Sequence, residues 1–186
     1  FGNNAEIIYG AILLIIFLSL LYFNRTVIQS GGLKTTFLLL MFIESLIWSA
    51  GFILLMGLSE NLILSVLERN IIPSQFYLAI GAGIWEELLF RFGAIGILTL
   101  ILEHGIGYGA IFSAFMAILI ASILFSMFHY VGIFGDIFTF KSFLLRVLAG
   151  LFLGALYSFR GLGITVYTHI FYDMAIISIP VMMESS

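Results

Sequence analysis

The sequence predicts an all-α polytopic membrane bundle with about six transmembrane helices, and three observations carry that reading. Hydrophobic residues make up 62% of the 186 positions and charged residues only 9%. With a mean hydropathy of +1.22, this lies far outside the composition of water-soluble domains. The apolar residues gather into segments long enough to cross a bilayer, at roughly 20 residues per span. These runs are unbroken rather than alternating, so they satisfy their backbone hydrogen bonds as helices and not as barrel strands.

The spans are expected near 5–23, 36–58, 76–101, 108–134, 142–160 and 163–183, all within one integral membrane domain, 1–186. The first, "AILLIIFLSLLYF", has no basic region before it and no small-residue cleavage site, so it reads as a spanning helix and not as a signal peptide. The second carries Glu44 in "FIESLIWS", expected to hydrogen-bond a serine or a neighbouring helix within the bundle. Between spans two and three, "ENLILSVLERN" mixes apolar and charged positions at helical spacing and predicts a short interfacial helix over 60–75. Gly81, Gly83, Gly93 and Gly96 in span three, with the GxxxG pair Gly150 and Gly154 in span five, predict close helix contacts. Trp48 and Trp85 fall mid-span, away from an interfacial belt, and read as packing or cavity-wall residues. Arg25, Lys34 and Arg160 on one side against Arg69 and Lys141 on the other favour an N-out arrangement.

There are no cysteines, which excludes disulfides, thiolate metal sites and a cysteine nucleophile. The net charge of −3 contains no basic block, so no nucleic-acid partner is expected. The charges that matter lie inside the spans. In "GIWEELLFRFGAIG", Glu86 sits about 15 Å into span three at about 1.5 Å per residue, close to the midplane. An ionisable group at that depth is a functional candidate. Glu87 and Arg91 are four apart, share a helix face and read as a structural ion pair. Glu86 is rotated by about 100° from that face, has no built-in partner, and is the member of the pair suited to proton transfer.

Two of the three histidines are also embedded in apolar runs, His129 in "FSMFHY" and His169 in "THIFYD". His104, beside Glu103 in a short loop, reads as solvated. Because successive helices alternate direction, His129, Glu86 and His169 are placed at depths of about 7, 15 and 20 Å from one membrane face. They are expected to meet in one buried cavity.

Glu86-Glu87-Leu88-Leu89-Phe90-Arg91 matches EExxxR, Phe125 to His129 matches FxxxH, and His169 to Asp173 matches Hxxx(N/D), in that order on three predicted helices. In these motifs the chain resembles the CAAX protease and bacteriocin-processing (Abi) family, related to the type II prenyl-protein endopeptidases, over about 76–183. The resemblance implies glutamate-dependent peptide hydrolysis inside the membrane, without a cofactor. It implies that Glu86 and His129 activate a water while His169 and residue 173 line the oxyanion site. The substrate would be a membrane-associated peptide, lipidated or a leader, and the location the cell (inner) membrane. Asp173 departs from an asparagine, whose amide would donate to an oxyanion: either Asp173 is protonated or it orients His169, one turn away. Glu86, His129, His169 and Asp173 are also conceivable zinc ligands, although they lack compact HExxH spacing. A proton-coupled transporter subunit, with these groups as a relay, and a non-catalytic binding or immunity protein are the other two functions compatible with the sequence.

Overall fold

In the computed structural model the described residues are 34–57, 74–132 and 135–184, with five isolated helical positions between 11 and 25. Apart from four of those positions, the expected first span lies outside the described residues, as does most of the interfacial helix at 60–75. The chain divides into two units, 1–40 and 41–186, and the second holds all three motifs.

Helix α1 is Thr35–Gly57. Helix α2, Ser74–Glu86, passes directly into a π-helical stretch, Glu87–Ile95. This is followed by the short α3, Gly96–Leu100, and a second π-helical stretch, Ile101–Ile106. Then come α4, Ala110–Phe128, α5, Phe140–Arg160, and α6, Leu162–Glu184. Among the described residues four helical runs, Thr35–Gly57, Ala79–Ile106, Ala110–Phe128 and Phe140–Arg160, have the length and hydropathy to cross a bilayer, with a shorter apolar segment at Leu162–Ser178. The molecule is an all-α membrane bundle.

Its polarity is arranged for lipid. Large apolar side chains such as Ile111, Leu54 and Phe159 face outward, whereas Ser45, Ser113, Ser126, Thr165 and Thr168 are fully buried. Lipid is as apolar as leucine, so small residues and interhelical hydrogen bonds hold such helices together in place of a water-driven core. Ser126 Oγ accordingly donates to the Phe143 carbonyl at 2.8 Å, joining α4 to α5. The GxxxG pair lies on the same contact: a Cβ added at Gly150 would stand 2.8 Å from Ser122 Cβ and 2.9 Å from its Cα. Gly150→Ala is therefore expected to destabilise the protein by about 1–3 kcal/mol through overpacking. Gly51→Ala, where an added Cβ meets nothing within 4 Å, should stay near wild type, and thermal unfolding in detergent compares the two.

Two expectations change. Span four is expected to run to 134, but α4 stops at Phe128, because the amides of His129, Tyr130 and Val131 each bond three residues back and tighten the chain before Gly132, at φ +94°. His129 thus caps the helix instead of lying inside it. Span three continues to Ile106, so His104 lies in a π-helical turn and not in a loop, although it is exposed as expected. Glu44 meets the second of its two expected alternatives, a neighbouring helix: Arg160 at the end of α5 donates to it, as does Trp48 Nε1 from its own helix. Trp48 also packs edge-on against Phe152.

Candidate active site

The site begins where α2 changes hydrogen-bonding pattern. Glu86 is the last α-helical residue and Glu87 the first of the wider, i→i+5 bonded stretch, a geometry often found at functional sites. Gly83, one turn earlier, lets α6 come close: an added Cβ there would lie 2.7 Å from Ile170 Cγ1 and 3.4 Å from the Ile170 backbone nitrogen. That contact brings His169 onto Glu87.

Glu87 and Arg91 form the expected pair, Nη1 to Oε1 at 3.0 Å, with side chains 0% and 2% exposed. The pair does more than balance charge. His169 Nδ1–H donates to the same Glu87 oxygen at 2.7 Å, and the Arg91 guanidinium lies 4.6 Å from the centre of the Phe125 ring. Each motif thereby touches the next: the second glutamate of EExxxR orients the histidine of Hxxx(N/D), and its arginine packs on the phenylalanine of FxxxH. With Nδ1 held by Glu87 and Asp173 Oδ2 3.6 Å from Nε2, His169 is oriented by Glu87. Asp173 stays within reach of the same ring on its other nitrogen, so an orienting role for it stands beside the protonated one.

Glu86 turns to the other side. Its Oε1 lies 3.9 Å from His129 Nε2 and its Oε2 3.9 Å from His169 Nε2. His129 Nδ1–H donates to the Phe125 carbonyl at 2.9 Å, which in the neutral ring leaves Nε2 as an acceptor facing Glu86. Glu86, His129, His169 and Asp173 all line one cavity of about 190 Å³, and Phe52 and Leu153 are among its apolar walls. The four candidate residues, drawn from three helical segments, therefore meet in one place, while Glu87 and Arg91 lie behind them.

Two further lining residues escape the motif reading. Tyr172 packs against Phe52 with ring centroids 4.2 Å apart and the planes tilted by 36°, and Arg146 reaches the cavity from α5. Nothing in the spacing of either marks it. As to metal, among the described residues no group of three or more histidine, aspartate or glutamate side chains is arranged to hold an ion.

A family model described as type II CAAX prenyl endopeptidase Rce1-like matches residues 68–175, more than half of the chain. The chain belongs to the Rce1-like family. The match contains all three motifs and every one of the four candidate residues around the cavity, so an Rce1-like protein of this kind is an integral membrane member of a peptidase family. No curated protein and no solved structure matches the chain.

Proposed function

We propose that this Rce1-like protein is an intramembrane endopeptidase that hydrolyses a peptide bond with a water activated by Glu86 and His129. The observation that carries the reading is the position of Glu86, 3.9 Å from the Nε2 atoms of both His129 and His169 in one cavity. A carboxylate and an acceptor nitrogen at that separation suit a water that donates one O–H to each from about 2.8 Å. As the water oxygen attacks the carbonyl carbon, one proton passes to Glu86 and the carbonyl electrons move onto oxygen. The C–N bond then breaks, and Glu86 returns the proton to the leaving amine.

The developing oxyanion is assigned to His169 and Asp173. Glu87 accepts the Nδ1–H of His169, so the imidazolium form has Nε2–H left to donate into the cavity. Asp173 contributes its own O–H when protonated. No metal takes part in this scheme. The family description supports a membrane-anchored, CAAX-type prenylated peptide as substrate, and the apolar cavity walls suit one. The cell (inner) membrane is the proposed location.

Asp173→Asn tests the donor role. An amide donates at any pH and is nearly the same size, so turnover of a prenylated peptide should be retained or raised. A steep fall with folding intact would make the negative charge itself the requirement, as for a metal ligand or a proton relay. The same assay with a strong chelator should proceed at its normal rate, whereas loss that added zinc restores would move the reaction onto a metal.

A further inference from the structure

Arg146 has no part in that chemistry, yet it is the only arginine among the described residues lining the cavity. We infer that Arg146 is the subsite for the substrate's C-terminal carboxylate, which replaces Asp136 as its partner. The inference rests on the peptidase reading, which supplies a CAAX peptide as the ligand.

The side chain is held as a receptor would be. Its Nη1 donates to the hydroxyls of Tyr130 at 2.8 Å and Ser142 at 2.7 Å, and the Tyr130 ring lies 5.1 Å from the guanidinium carbon. Tyr130 in turn donates to Ser142 at 3.0 Å. These neutral contacts fix the planar group without neutralising it, which lowers the ordering cost of binding an anion. Its one carboxylate partner among the described residues is Asp136, bound through Nη2. Asp136 is 48% exposed, lies between α4 and α5 outside regular structure, and does not line the cavity. A partner with that much access to water can be exchanged at modest cost.

Position and charge agree with this assignment. The Asp136 backbone N–H donates to the His129 carbonyl at 2.9 Å, so the Arg146–Asp136 pair lies beside the catalytic end of α4. A CAAX tail places its free carboxylate at most three residues from any bond broken within it, about 10 Å of extended chain. Glu86 stands 3.9 Å from both His129 and His169, so the imidazoles of the lining already face a carboxylate, which leaves Arg146 as the cation for a second one.

Binding to the Glu86→Gln protein in nanodiscs tests the subsite without requiring turnover. The probes are a farnesylated CAAX peptide with a free C-terminal acid and the same peptide as its C-terminal amide. The acid should bind about 10- to 100-fold tighter than the amide, as for a hydrogen-bonded charge pair. Adding Arg146→Gln should remove that preference and leave amide binding unchanged. Asp136→Asn, which frees the guanidinium and retains it, should strengthen acid binding alone. Equal or undetectable binding of the two peptides, an acid preference that survives Arg146→Gln, or an acid affinity unmoved by Asp136→Asn would overturn the subsite. Hydrolysis by wild type is scored separately: an acid preference lost in Arg146→Gln supports the subsite even if wild type cleaves neither peptide, an outcome that would remove the peptidase reading alone.

Discussion

Arg91→Ala is expected to destabilise the protein by about 3–5 kcal/mol, the range for removing one partner of a buried ion pair. Glu87 is fully buried, and without the guanidinium its carboxylate keeps only the bond from His169 in surroundings that cannot solvate it. The substitution also removes the cation from the face of Phe125, so packing is lost together with charge. The double variant Glu87→Gln/Arg91→Ala should be more stable than Arg91→Ala, because the stranded charge is gone, and a thermodynamic cycle of unfolding in detergent measures the coupling. Activity should not recover with stability, since a glutamine at 87 no longer gives His169 a charged partner. A cycle with no coupling would mean that the pair contributes only bulk.

Glu86→Gln is expected to lower turnover by about 10²- to 10⁴-fold, the usual contribution of a positioned general base, while leaving the fold intact. Glu86 is 17% exposed in the cavity and stands 3.9 Å from His129 and His169, so no tight ion pair is lost. The amide matches the carboxylate in size and still meets the water, but it cannot take the proton. The contrast between the adjacent positions is the informative part: Glu86 is expected to govern rate, and the pair behind it stability and the orientation of His169. Thermal unfolding and peptide turnover measured on both single variants check this division.

Unbroken apolar runs locate the described helices, with the ends of spans three and four displaced by five and six residues, because bilayer thickness and backbone hydrogen bonding leave a chain little choice. The convergence of Glu86, His129 and His169 follows from their depths even though α4 ends earlier than expected, since the error moves His129 along the membrane normal and not out of the bundle. Other features have no local signature. The change to π-helical bonding at Glu87 leaves no mark in "EELLFRFGAI". The Glu87–His169 bond joins residues 82 apart and depends on how α2 and α6 are rotated; Gly83 signals that something comes close without saying what. Arg146 reads in the sequence only as a charge near a helix start, and its place in the cavity depends on how the segment after α4 folds back to His129.

Single-turnover hydrolysis of a farnesylated CAAX peptide in ¹⁸O-labelled water, with wild type and Glu86→Gln side by side, tests the central claim most directly. If Glu86 and His129 activate a water, the new carboxylate released by wild type carries one ¹⁸O from the first turnover, Glu86 itself stays unlabelled, and the Gln variant releases almost nothing. Product lacking the label in that first turnover would show that a protein oxygen attacked the substrate, and normal release by Glu86→Gln would show that the base lies elsewhere.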